Sequence, residues 1–142
     1  MTIKRLIEGR SDSVLNCTTA TSVADAVKML AEERIGALPV YGDAGLAGVL
    51  SERDVIYRLH TLGTAVLSQT VGEVMTAPPI TVEPGTAVLD ALGLMTRRRI
   101  RHLPVVEEGR VIGFVSIGDL VKYRIERIEA EAEAMRSYIQ TA

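Results

Sequence analysis

The chain repeats itself at a constant offset of 65 residues. VADAVKMLAEERIGALPVYG (23–42) lies over VLDALGLMTRRRIRHLPVVE (88–107), and GVLSERD (48–54) lies over GFVSIGD (113–119). Leu38-Pro39-Val40 matches Leu103-Pro104-Val105, Ser51 matches Ser116 and Asp54 matches Asp119, all without a gap. Such a chain must build one supersecondary unit twice. A unit of roughly 60 residues buries too little surface to be stable alone. The two copies are therefore expected to pack sheet against sheet.

The units read alike. Val23, Ala26, Val27 and Leu30, and likewise Val88, Ala91, Leu92 and Met95, recur at helical spacing. Thr21-Ser22 and Thr86 precede them as polar caps. ALPVYG and HLPVVE read as buried strands, and LAGVLS and VIGFVS as second strands, with turns at 42–45 and 107–109. Helices are expected to start at Asp54 and Asp119, where a carboxylate meets the positive end of the helix dipole. Each unit is then a leading strand, helix, strand, strand, helix. Residues 61–72 join the units. Residues 71–86, with Pro78-Pro79, lead into the second, and 16–22 form a shorter counterpart.

Composition closes off several functions. Apolar residues make up 47 %, yet Phe occurs once and Trp not at all, so the core must be aliphatic. Sixteen Lys plus Arg face eighteen Asp plus Glu, a net charge of −2 that gives no general attraction to nucleic acid or an acidic membrane. Cys17 is alone, which rules out an intrachain disulfide and reads as a small core residue. His60 and His102 lack partners at metal-ligand spacing. There is no phosphate-loop or dinucleotide fingerprint and no nucleophile–base pair, so neither catalytic nor metal-binding residues are assigned, and no enzyme activity is expected. Without a signal-like or membrane-length apolar run, a soluble cytoplasmic protein is expected.

RIGALPVY with GVLSERDVI, and RIRHLPVV with GFVSIGDLV, closely resemble a tandem pair of CBS domains, or Bateman module, over roughly residues 10–123. The resemblance implies an α/β (α+β) fold of two β-α-β-β-α units related by a pseudo-twofold, with a cleft on each side. It divides the chain into an N-terminal helical arm (1–13), a first CBS domain (14–66), a second (67–123) and an extension of the last helix (124–142). Members of the family commonly bind adenosine ligands, so AMP, ADP or ATP is expected, with NAD or S-adenosylmethionine as alternatives and no required cofactor. They regulate or sense rather than catalyse, and often pair as dimers.

The residues suit such a ligand. A carboxylate accepts from both ribose hydroxyls, which fits Asp54 and Asp119, and Ser51 and Ser116 offer hydroxyls to phosphate. The alternative is that both Asp side chains only cap helices. By the family's geometry, one site uses Ser116, Gly118 and Asp119 with Thr19, Ala20, Gly36 and Ala37. The other uses Ser51, Arg53 and Asp54 with Ile80, Val82, Arg101 and His102. Adenine would lie along Ile35–Leu38 (Ile35, Gly36, Ala37, Leu38) or Ile100, Arg101, His102 and Leu103. The run RRRIRH (97–102) fits a solvated helix end or a phosphate site, since arginine forks pair two hydrogen bonds, and the resemblance makes Arg101 the first choice because the family often places a phosphate-contacting basic side chain there. Unit one has Gly36 and Ala37 where unit two has Arg101 and His102, so the sites are expected to be unequal.

Residues 119–140 read as one helix whose Val121, Ile125, Ile128, Ala132, Met135 and Ile139 form a heptad seam. The helix is expected either to lie on its own module or to pack against a second subunit, with a homodimer favoured, and a regulated protein target is expected. Ile3, Leu6 and Ile7 suggest a short amphipathic helix that covers exposed core or adds to the dimer interface. Two competing readings remain: a ligand-free structural or interaction scaffold, and nucleic-acid binding through 97–101, which lacks interleaved aromatics.

Overall fold

The computed structural model describes residues 1–10 and 13–141. Positions 11 and 12 of the expected N-terminal arm, and position 142 of the extension, lie outside them. The first unit holds strand β1 (Cys17–Thr18), helix α2 (Val23–Glu33), strands β2 (Ala37–Gly42) and β3 (Gly45–Ser51), and helix α3 (Glu52–Leu62). The second holds α5 (Val88–Arg98), β4 (His102–Glu107), β5 (Arg110–Ser116) and α6 (Ile117–Thr141). Helix α1 (Ile3–Ile7) precedes them, and a 3-10 segment (Gly63–Ser68) and one-turn α4 (Val71–Val74) lie between.

The repeat survives as geometry across the hairpins and at the helix ends that precede them. Ala37 pairs with Ser51 and His102 with Ser116, both across antiparallel hairpins. Both hairpins shift register at the equivalent place, Val40/Tyr41 and Val105/Val106. Helices α2 and α5 both end on an arginine in the left-handed region, Arg34 and Arg99, each at φ 54. The next residue then closes the helix, Ile35 N–H donating to Leu30 O and Ile100 N–H to Met95 O.

Gly48 and Gly113, the first residues of the repeated GVLSERD and GFVSIGD, lie beneath chain that crosses over the sheet. A Cβ at Gly48 would stand 2.5 Å from the Thr76 carbonyl oxygen, and one at Gly113 would stand 2.9 Å from Ile7. The crossing segments differ. Thr76 exchanges backbone hydrogen bonds with Val49, whereas α1 supplies the cover over unit two.

Two aliphatic cores result. The first gathers Val23, Ala26, Leu30, Leu38, Val40 and Leu50 with Val66, Val71 and Val74. Segment 61–72 is thus more than a joint, because Val66 and Val71 are fully buried. Cys17 joins this core, where burial pushes its thiol up to about 11 and keeps it protonated. The second core gathers Val88, Ala91, Met95, Leu103, Val105, Val115 and Leu120 around Ile3. Burying Ile3 contributes about 1.5–3 kcal/mol. The arm is fixed by Ile3 N–H donating to Thr86 O and Val88 N–H donating to Met1 O.

Several local expectations shift. Ser22 caps α2 by accepting from Asp25 N–H, but α5 is preceded by Ala87. Thr86 instead accepts from Glu83 N–H within the preceding turn. Helices α3 and α6 start two residues before Asp54 and Asp119, with Ser51 and Ser116 ahead of their first turns. The leading strand of unit two shrinks to a single parallel bridge, Val82 to Val105.

Candidate functional site

The sheets meet through β3 and β5, and two clefts open where they do. Gly36 and His102 line both clefts. A Cβ at Gly36 would stand 3.0 Å from the His102 ring, so the absence of a side chain at position 36 lets the units close. His102 stacks on Phe114 with ring centroids 5.8 Å apart. Burial lowers the His102 pKa. Glu52 and Asp119 oppose that shift, while Arg101 and Arg53 reinforce it, so the ring is neutral at pH 7.

The first cleft has a volume of about 600 Å³. Its polar floor is the start of α3. Ser51 and Asp54 form a capping box: Asp54 N–H donates to Ser51 Oγ at 3.3 Å, and Ser51 N–H donates to Asp54 Oδ2 at 2.8 Å. The other carboxylate oxygen, Oδ1, accepts from Thr76 Oγ1 at 2.8 Å. Tyr57, Pro78, Pro79 and Ile80 supply apolar wall. Arg53, Arg98, Arg99 and Arg101 line the cleft against Glu52 and Asp54, and Arg53 Nη1 donates to Arg99 O at 3.3 Å. That excess favours an anion, and arginine forks suit phosphate.

The second cleft, about 560 Å³, lies at the start of α6. Ser116 and Asp119 repeat the box, with Ser116 N–H donating to Asp119 Oδ2 at 2.8 Å and Asp119 N–H donating to Ser116 Oγ at 3.1 Å. Here the free oxygen meets a cation, as Arg10 Nη2 lies 3.3 Å from Asp119 Oδ1. Arg10 also donates to Phe114 O at 3.3 Å. Val14, Leu15 and Phe114 form apolar wall.

Ser51, Arg53, Asp54, Ile80, Ile100, Arg101 and His102 come together in the first cleft, and Ile35, Gly36, Ala37, Ser116 and Asp119 in the second. Leu38 and Leu103 are fully buried core residues, and Val82 sits in the second core. Gly118 is absent from both linings. So are Thr19 and Ala20, for a reason of register. Cys17 pairs with Val40 and Thr18 with Tyr41 in parallel, so the chain beyond Thr18 runs away from Ala37. Residues 13–15, upstream, reach the cleft instead. Thr76, Tyr57 and Arg10 were not singled out from sequence. Thr76 and Arg10 lie outside the repeated segments 23–54 and 88–119, and Tyr57 stands three residues past a quoted motif without special chemistry.

Among the described residues no helix is long and apolar enough to cross a membrane. A CBS domain model matches the chain twice, over residues 10–61 and 71–126. The chain is 41 % identical over 133 residues to the CBS domain-containing protein CBSX3, mitochondrial, of Arabidopsis thaliana, covering 90 % of this chain and 65 % of that protein. The chain therefore spans less than two thirds of that relative's length. A CBS-domain containing protein of Agrobacterium tumefaciens superposes with a TM-score of 0.82 at 32 % identity, over 87 % of this chain and 92 % of the other. CBSX2, solved in complex with AMP, superposes with a TM-score of 0.72 at 30 % identity, over 88 % and 96 %.

Proposed function

This chain belongs to the CBS domain family, and from that premise we propose that it is a regulatory module that binds adenosine nucleotides in its inter-unit clefts and signals through a protein partner. The carrying observation is the first cleft. It is lined by the Asp54 carboxylate, by apolar residues including Tyr57 and Ile80, and by four arginines, with a volume suited to a small-molecule ligand. The AMP complex of CBSX2 supports the ligand class. AMP, ADP and ATP fit best, because Arg53, Arg98, Arg99 and Arg101 offer several phosphate contacts. NAD or S-adenosylmethionine fits the same slot with less use of those cations. The second cleft is the weaker site, since Arg10 and Arg34 are the arginines lining it where four line the first.

A ligand bridging the units acts on a partner only by favouring one arrangement of the module over another. We assign that arrangement to a homodimer. Ile56, Leu59 and Leu62 on α3 and Val121 and Ile125 on α6 are exposed in the single chain, apolar surface that a second copy would cover. Titration of the full chain with AMP, ADP, ATP, NAD and S-adenosylmethionine tests the reading. Affinity that rises with phosphate number, and loses that rise in Arg101→Ala, supports it. A flat response across the series removes the role given to the arginines.

One observation favours the scaffold reading. Both carboxylates already hold capping boxes, and each has a further partner, Thr76 or Arg10. A purely structural role would make Asp54→Ala and Asp119→Ala change stability alone.

A further inference from the structure

Helix α6 carries an apolar stripe that its own module leaves uncovered. Val121, Ile125, Ile128, Met135 and Ile139 are 43, 50, 48, 60 and 65 % exposed. Ala132 completes the alternating spacing of four and three. Ile125, Ala132 and Ile139 then take heptad position a, and Val121, Ile128 and Met135 take d. The flanking g positions hold Arg124, Glu131 and Tyr138, and the e positions hold Lys122, Glu129 and Arg136.

These flanks distinguish the two ways of pairing with a second copy. In a parallel, in-register pair each g residue faces the e residue five places on in the other helix. Arg124 then meets the partner's Glu129, and Glu131 meets the partner's Arg136. Symmetry doubles both, and all four contacts are attractive. In an antiparallel pair with a opposite d, Glu129 meets the partner's Glu129, Glu131 meets the partner's Glu131, and Lys122 meets the partner's Arg136. All of these are like-charged. The intrachain pairs Arg127–Glu131 at 3.3 Å and Arg136–Glu133 at 3.7 Å are solvent-exposed and weak competitors.

We infer that the α6 extension pairs with that of a second copy as a short parallel coiled coil, in register about the dimer axis. This rests on the dimer reading above. The seam is about three heptads long with small Ala132 near its middle, so its pairing depends on the modules holding the helices at high effective concentration.

A cysteine tests the orientation. Position 139 faces itself in the parallel pair, within disulfide reach, and faces the partner's Val121 in the antiparallel one. Ile139→Cys in the full chain is expected to run as a covalent dimer under mild oxidation, while the parent chain, whose Cys17 is buried, does not. Glu131→Arg is expected to weaken dimerisation about tenfold by turning two attractive contacts repulsive. Adding Arg136→Glu restores it. If sedimentation shows a dimer but Ile139→Cys stays uncrosslinked and the charge variants keep parental affinity, the parallel tail is overturned while the dimer stands. Crosslinking only in a Val121→Cys, Ile139→Cys double variant overturns the orientation. A chain that is monomeric at all concentrations overturns the dimer reading together with the tail.

Discussion

Thr76 donates a 2.8 Å hydrogen bond to Asp54, tying the lead-in of the second unit to the first helical turn that ends the first unit's hairpin. The same Asp54 holds the capping box with Ser51, so one carboxylate both starts α3 and joins the two halves. Asp54→Ala is expected to cost about 1–2 kcal/mol, from a lost cap and a hydrogen bond. For a domain of this size that is a fall in Tm of roughly 3–8 °C. Thr76→Val removes only the hydroxyl and is expected to cost about 0.5–1.5 kcal/mol. Thermal unfolding checks both, and equal losses in the two variants would mean the capping box carries little.

The two motif glycines should differ in tolerance. At Gly48 an added methyl meets the Thr76 backbone carbonyl, while at Gly113 it meets the Ile7 side chain. A side chain can turn aside and a hydrogen-bonded backbone cannot. Gly48→Ala is therefore expected to cost about 2–3 kcal/mol or more, as overpacking does, and Gly113→Ala about 1 kcal/mol. Denaturant unfolding of the pair decides, and the reverse order would mean that Thr76 moves more freely than α1.

Gly36→Ala should force the His102 ring aside, because its Cβ would stand 3.0 Å from Cε1 and 3.1 Å from Nε2. A loss of about 1–2 kcal/mol is expected, shrinking sharply in a His102→Ala background. Additive effects in that cycle would show that the two residues do not touch in solution.

His102 also predicts a pH dependence. Burial, the larger cause, lowers its pKa in the folded chain below the ordinary histidine value. As pH falls through about 6.5 the unfolded chain takes up the proton first, so stability drops until the depressed folded pKa is reached. Stability therefore rises with pH across that window, and His102→Gln should flatten the rise. Urea unfolding between pH 5 and 7.5 checks the slope, and an unchanged slope in the variant would place the titration elsewhere.

Much of this was written in the repeat. An offset of 65 fixed which residues must be equivalent, and the paired registers Ala37–Ser51 and His102–Ser116 obey it. What lies outside the repeat stayed hidden. Thr76 reaches Asp54, and Arg10 reaches Asp119, from segments with no internal copy, and tertiary packing alone brings them there. Thr19 and Ala20 fall outside the second cleft because β1 is two residues long and runs parallel to β2, a register that spacing does not reveal. Thr86 resembles a cap in sequence, but its hydroxyl is taken by the preceding turn. Asp54 and Asp119 were legible in the sequence as ribose partners or helix caps, whereas their pairing with Ser51 and Ser116 in capping boxes appeared only in three dimensions.

The central claim is that the cleft built on Asp54 and the surrounding arginines holds an adenosine nucleotide. Calorimetric titration of the full chain with AMP and with ATP, repeated on Asp54→Ala and Asp119→Ala, tests it most directly. Saturable binding in the parent, weakened at least tenfold in Asp54→Ala and much less in Asp119→Ala, is the predicted result. No heat of binding at millimolar nucleotide, or affinity unchanged in a folded Asp54→Ala variant, would contradict it.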